Sequence, residues 1–203
     1  MRACEAIGRL DPPPPPGGGE GGGGVEGGPE LSADVRSSVE EHRAHAPASI
    51  RCVVGTISDS KTAETDTSGR LCQELLRGAG HEVAGYRIVR DEPTEVHRVI
   101  HEACQNPSVQ CVILTGGTGI ASRDQTFEAI DALLEKRLPG FGELFRMLSY
   151  QEIGPAAMLS RAQAGVRAGR VVFSLPGSPA ACRLALERLI LPELGHLIRE
   201  LRR

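Results

Sequence analysis

The sequence predicts an α/β fold of three layers, α/β/α, with a mostly parallel sheet and helices on both faces. Short β-branched apolar runs alternate along it with segments of helical periodicity. The polar clusters fall in the loops that directly follow those runs. Strand and helix at this rhythm make βαβ units, and such sheets take their ligands beyond the carboxyl ends of the strands.

Residues 50–57 (IRCVVGTI) are mostly apolar, as a strand covered on both faces requires. A polar loop, SDSKTAETD, leads to Asp66 or Thr67 as the cap of a helix. Leu71, Leu75, Leu76 and Ala79 share one face of that helix, and Gly80 stops it. Residues 82–89 (EVAGYRIV) read as the second strand. Thr94 is the expected cap of the next helix, with Val96, Val99, Ile100, Ala103 and Cys104 inward and Asn106-Pro107 at its end. The third strand, residues 109–114 (VQCVIL), runs straight into TGGTG. A helix from about Asp124 to Lys136 and a helical stretch around Gly142 to Tyr150 follow. Residues 171–175 (VVFSL) form the last strand. Pro176-Gly177-Ser178-Pro179 then turns the chain into a terminal helix bearing Leu184, Leu186, Leu189 and Ile190, with an interruption expected at Pro192.

The first 48 residues differ in kind. They hold 10 of the 25 Gly and 7 of the 14 Pro, with eight acidic against four basic residues. Pro and Gly bring no apolar surface to bury, so residues 1–48 read as a disordered Pro/Gly-rich tail and residues 49–203 as one domain. That domain keeps 19 basic and 18 acidic residues, a balance that argues against a nucleic-acid partner. Two Tyr and no Trp leave few stacking platforms for single strands. Cys4, Cys52, Cys72, Cys104, Cys111 and Cys182 show no metal-binding spacing and read as reduced thiols. No stretch is long and apolar enough for a signal peptide or a membrane span, so a cytoplasmic protein is expected.

Four strand-end loops carry the polar clusters: Ser58-Asp59, Arg90-Asp91, Thr115 to Gly119, and Pro176 to Pro179. The TGGTG loop lets backbone N–H groups approach an anion near a helix N-terminus. It lacks the Gly-Lys-Ser/Thr of a Walker loop and the third Gly of a dinucleotide fingerprint, and read alone it is equally a tight chain reversal. Asp124 in SRDQTFEA reads locally as a helix cap, and Asp91 as a solvated loop carboxylate. Used together at the mouth of the sheet, the two would suit Mg²⁺, which needs only one or two carboxylates beside water and phosphate. No His or Cys cluster near these loops points to zinc or iron. The local chemistry is that of a phosphate or polyanion site.

GTISDS, DTSG, LTGGTG, SRDQTFEA, PGFGELFRMLSYQEIGPAAMLSRAQAG and LPGSP follow in that order between Gly55 and Pro179, and the likeness they carry covers about residues 49–201. Together they resemble the MoaB/MogA family of molybdenum cofactor biosynthesis, with the related G domains of gephyrin and its plant counterpart. DTSG, FRMLSYQEIG and LPGSPAACR are most similar to the MoaB branch. The resemblance implies a homotrimer or a hexamer of paired trimers, a pocket for molybdopterin, and transfer of AMP from Mg-ATP to the pterin's terminal phosphate with release of pyrophosphate. It places the two catalytic acidic residues, which would also hold Mg²⁺, at Asp91 and Asp124. Its glycine loop maps onto Gly116, Gly117, Thr118 and Gly119 after Thr115. Its pterin-side hydroxyls map onto Ser149 and Ser160, and its closing loop onto Ser174, Pro176, Gly177 and Ser178. Ser58 and Asp59, chosen by their place at a strand end, complete the expected substrate-binding set.

One residue departs from the adenylyltransferase pattern: Phe127 follows Asp124-Gln125-Thr126 where that pattern has Pro. The alternative reading is a non-catalytic molybdopterin-binding or assembly protein of the same pathway, with other pathway proteins as partners.

Deleting residues 1–45 is expected to leave the domain folded and equally oligomeric. A thermal midpoint within a few degrees of the full chain would bear this out. About 1 kcal/mol moves a domain of this size by roughly 2–8 °C, so a much larger fall would show the tail packed on the core.

Overall fold

A computed structural model describes residues 47–122 and 124–203. The expected tail lies outside the described residues except for Pro47 and Ala48. The strands are β1 (Arg51–Ile57), β2 (Glu82–Val89), β3 (Cys111–Thr115), β4 (Lys136–Arg137), β5 (Gln163–Arg167) and β6 (Arg170–Leu175). They form one sheet in the order β2-β1-β3-β6-β5-β4. Pairs β1–β2, β1–β3 and β3–β6 are parallel, whereas β5–β6 and β4–β5 are antiparallel.

The helices are α1 (Thr67–Gly78), α2 (Pro93–Gln105), α3 (Thr126–Leu133), α4 (Pro139–Ile153), α5 (Pro179–Ala185) and α6 (Leu191–Leu201). A 3₁₀ segment, Gly154–Leu159, extends α4, and a π-helical segment, Leu186–Ile190, joins α5 to α6.

All five residues of β3 are buried. Alternate side chains of a strand point to opposite faces, so this single apolar run serves two cores. Cys111 and Ile113 join Phe145, Phe173, Leu175 and Leu186 beneath α1, α4, α5 and α6. Val112 and Leu114 join Val96, Val99, Ile100 and Ile130 beneath α2 and α3. The edge of Phe141 meets the Phe173 ring at 5.1 Å between centroids. Each large side chain fully buried in such a core contributes about 1.5–3 kcal/mol. The predicted three-layer α/β/α architecture is present.

Several boundaries differ from the expectation. Thr94 does not cap α2: Pro93 occupies its first turn, preceded by Glu92 with no side-chain capping bond, because a proline that lacks an N–H fits there at no cost. α3 begins at Thr126 and ends at Leu133, short of Lys136, which starts the edge strand β4. Pro192 does not break the terminal helix; the Leu191 amide reaches back to the Leu186 carbonyl, and the π turn carries the helix through. β4 and β5 were not expected at all. Two exposed charged residues give no strand signal, and Gln163–Arg167 contains a single β-branched residue.

Cys52, Cys72, Cys111 and Cys182 are buried free thiols and Cys104 is a half-buried one, while Cys4 lies outside the described residues. No helix among the described residues is long and apolar enough to cross a membrane.

Candidate active site

The parallel strands β2, β1, β3 and β6 all release their chains at one edge of the sheet, and the predicted loops meet there. β3 leaves through Gly116 and Gly117, with φ of 101° and 65°, a backbone region that glycine enters without steric cost. The packing leaves no room for a side chain either. A Cβ on Gly116 would lie 2.2 Å from the Ile57 carbonyl oxygen, and one on Gly117 would lie 2.4 Å from Thr126 Oγ1. The Gly116 amide donates to Leu175 O at 3.0 Å, and Thr115 Oγ1 donates to Pro176 O at 3.0 Å. The glycine turn is thereby fixed to the ends of both β1 and β6.

Asp91 comes to the same place from β2. The Thr126 hydroxyl donates to Asp91 Oδ1 at 2.6 Å, and the Asp91 amide donates to Asp59 Oδ1 at 3.2 Å. Asp91, Glu92, Pro93 and Gln125 line an open cavity of about 420 Å³. Asp91 is therefore a held carboxylate.

Asp124 does not cap α3. Gln125 stands at that cap and makes no side-chain bond. Asp124 folds back instead: its Oδ2 accepts the Ala121 amide at 2.8 Å, and its own amide donates to Ala121 O at 2.9 Å. A Cβ on Gly119 would sit 2.2 Å from Asp124 Oδ2, so the carboxylate lies directly against the glycine loop. The described residues contain no cluster of three or more His, Cys, Asp or Glu side chains able to hold a metal. A divalent cation here would rest on oxygen from Asp91 and Asp124, completed by water and phosphate, as Mg²⁺ tolerates.

Beneath the site lies a group that sequence reasoning passed over as a cap. Asp66 caps α1 by accepting the Gly69 amide at 3.0 Å. It is also fully buried and accepts Thr56 Oγ1 and Tyr86 OH at 2.5 Å each, with Lys61 Nζ at 3.4 Å. Burial pushes its carboxyl up, but the hydrogen bonds from Thr56, Tyr86 and Gly69 and the charge of Lys61 outweigh this and hold it below the usual aspartate value. Burial, then the Asp66 carboxylate, pushes the Tyr86 phenol up to about 12. Lys61 Nζ also meets Ser68 Oγ at 3.3 Å, and Ser68 donates to Gly177 O at 2.7 Å. A hydroxyl, a phenol, an amide and a lysine around one carboxylate, with Ser68 beyond the lysine, thus tie β1, β2 and α1 to the loop after β6. The only signal in the sequence was DTSG.

The other expected residues divide by their contacts. Ser58 Oγ accepts the Ser60 and Lys61 amides at 3.3 Å, which shapes the loop after β1. Ser178 caps α5 by accepting the Ala181 amide at 3.2 Å. Ser149 is buried on α4. Among the described residues, Ser160 and Ser174 each keep a buried Oγ with no hydrogen-bond partner. Ser160 borders a second cavity, about 400 Å³, shared with Phe127, Arg161 and Met158. A larger cavity of about 620 Å³, lined by His97, Arg98, His101 and Cys104 among others, includes none of the expected site residues. Asp91 instead lines the cavity at the strand-end edge, beside the glycine turn.

Residues 53–196 match the profile of a family described as a probable molybdopterin binding domain. The chain belongs to that molybdenum cofactor biosynthesis family. It is 53% identical over 167 residues to molybdenum cofactor biosynthesis protein B of Bacillus subtilis, covering 82% of this chain and 98% of the relative. The corresponding protein of Halalkalibacterium halodurans is 52% identical over 165 residues, covering 81% and 97%. Among solved structures, a molybdenum cofactor biosynthesis protein B superposes with a TM-score of 0.76 at 52% identity, covering 78% of this chain and 99% of that one. The tungsten cofactor synthesizing protein MoaB of Pyrococcus furiosus gives 0.71 at 40% identity, covering 78% and 100%.

In this family member, Asp66 titrates below its unfolded value. Its contribution to stability is therefore present above the unfolded pKa of about 3.9 and is lost as pH falls through the folded value. Asp66→Asn is expected to be less stable than the parent at neutral pH, with the gap closing below about pH 4. Denaturant unfolding of both proteins across that range is the measurement. A gap constant with pH would show that packing, and not the carboxylate charge, had been lost.

Proposed function

We propose that this chain binds molybdopterin and transfers AMP to its terminal phosphate from Mg-ATP. The observation that supports this best is the pair Asp91 and Asp124, both held by the protein around the β3 glycine turn. In the reaction a terminal phosphate oxygen of the pterin forms a bond to the α-phosphorus of ATP. The bond from that phosphorus to the bridging oxygen breaks, and pyrophosphate leaves with the electron pair. Two polyanions and two carboxylates repel one another at close range, and Mg²⁺, when bound, supplies the positive charge that offsets this.

The residues of the chain hold the parts in place. Thr126 fixes one oxygen of Asp91, and the Ala121 amide fixes one oxygen of Asp124. The glycine turn brings backbone N–H groups near phosphate oxygens. A phosphate nucleophile is already ionised at neutral pH, so the absence of a histidine base from the expected set costs the reaction nothing. For the pterin, Ser160 offers a buried hydroxyl without a partner at the 400 Å³ cavity, and Ser149 is the second hydroxyl of the reading.

We further propose that the chain is a closed homo-oligomer, a trimer or a pair of trimers. Met147 and Tyr150 on α4, 52 and 60% exposed, line one open surface cavity together with Pro155 and Met158, the last 79% exposed. Contiguous apolar surface of this kind marks an interaction site, and a second copy of the chain covers it in this reading.

Asp91→Asn and Asp124→Asn are each expected to remove most AMP transfer while leaving pterin affinity nearly intact, because Asn keeps the shape and loses the charge. AMP transfer from Mg-ATP to purified molybdopterin, run beside a pterin-binding titration, is the test. Full activity in both variants would refute the catalytic assignment. Binding without any transfer by the unaltered protein would establish the non-catalytic reading instead.

Light scattering at micromolar concentration is expected to give three or six times the chain mass, falling on Met147→Glu. A monomer mass for the unaltered protein would sink the oligomer.

A further inference from the structure

Arg161, in the loop between the 3₁₀ segment and β5, makes a set of contacts that the reaction above does not use. Its Nε donates to Thr118 O at 3.1 Å. Its Nη2 donates to Gly119 O and, at 3.3 Å, to Asp124 O. Nη1 meets Glu128 Oε1 at 2.5 Å. The guanidinium carbon stands 5.0 Å from the centre of the Phe127 ring, within the range of a cation–π contact. The side chain is 23% exposed. One rigid fork therefore grips three carbonyls of a single loop, while an aromatic face and a carboxylate hold the fork itself.

The consequence follows from peptide geometry. No described peptide is cis, and in a trans peptide the carbonyl points opposite to the N–H of the next residue. With the Thr118 and Gly119 carbonyls turned toward Arg161, the Gly119 and Ile120 amides face away from it. The same grip on the Asp124 carbonyl fixes the backbone of a proposed catalytic carboxylate. A loop containing Gly116, Gly117 and Gly119 has little stiffness of its own.

We propose that Arg161 is a positioning residue: it holds the Gly119 and Ile120 amides and Asp124 in the arrangement that receives a phosphate group, without touching that group. This inference rests on the proposed reading of the glycine loop as a phosphate site. Charge alone cannot replace the fork, because lysine offers one compact ammonium where arginine offers several donors in a plane.

The test uses the full chain and its variants Arg161→Lys and Arg161→Met. Calorimetric titration with Mg-ATP and with inorganic pyrophosphate measures affinity, and hydrogen exchange in the ligand-free proteins measures order in residues 116–125. Both variants are expected to bind roughly tenfold or more weakly, the loss of one or more charge-assisted hydrogen bonds, and to exchange faster in that segment. Added guanidinium ion is expected to restore part of the affinity of Arg161→Met and none to Arg161→Lys. Unchanged affinity in both variants would overturn the inference, even with a lowered melting point, since that pattern belongs to a merely structural residue. Unaltered protein that binds either probe but never transfers AMP would refute the adenylyltransferase reading and leave the positioning role to be decided by these affinities. Unaltered protein that binds neither probe would overturn both.

Discussion

Parallel pairing is the constraint on which the rest of this molecule depends. A strand cannot return parallel to its neighbour through a tight turn, so each crossover travels over a face of the sheet as a helix. That geometry buries β3 from both sides and turns one apolar run into the floor of two cores. It also leaves β1, β2, β3 and β6 ending together, so Asp59, Asp91 and Thr126 meet although they come from three separate stretches of chain. The glycine turn follows from the same crowding. A chain leaving the middle of a parallel sheet passes within contact distance of its neighbours, and at Gly116 a side chain would overlap the backbone of β1.

Asp66 shows what such an edge requires underneath. A buried carboxylate without partners would be costly, yet this one is surrounded by two hydroxyl donors, an amide and a lysine. Removing one partner of a buried charged group generally costs more than the group contributes in place. The cluster therefore works as a unit, and its reach from Thr56 to the Ser68–Gly177 contact links the loops after β1 and β6.

Much of this was legible in the sequence. Buried strands write themselves as β-branched runs, as β1, β3 and β6 do, and the edge strand β2 shows itself by Tyr86, Ile88 and Val89. The glycine turn and the carboxylates on either side of it were equally visible, because strand ends are where such sheets bind ligands. What escaped has a physical reason in each case. β4 and β5 pair at the margin, where Lys136, Arg137 and Gly165 carry no apolar signal. Asp66 read as a helix cap, which it is, but its burial beside Tyr86 depends on a partner 20 residues away. Arg161 acts on carbonyls some 40 residues earlier in the chain, at separations of 43 and 42. Phe127, marked in the sequence as a departure from a pattern, proves to lie under that guanidinium. Long-range polar contacts leave no periodicity, and periodicity is what a sequence displays.

The two margins of the sheet have a bearing on solubility. β4 ends one side with only two residues, both positively charged and exposed. β2 ends the other side with a register shift opposite Cys52 and Val53, where Ala84 falls between the paired Val83 and Gly85. Brevity, like charge, and a bulge are the means by which exposed strands avoid recruiting strands from other molecules. Both margins work against strand-to-strand growth between crowded copies of this domain and leave self-association to side-chain surfaces such as the one around Met147, Tyr150 and Met158.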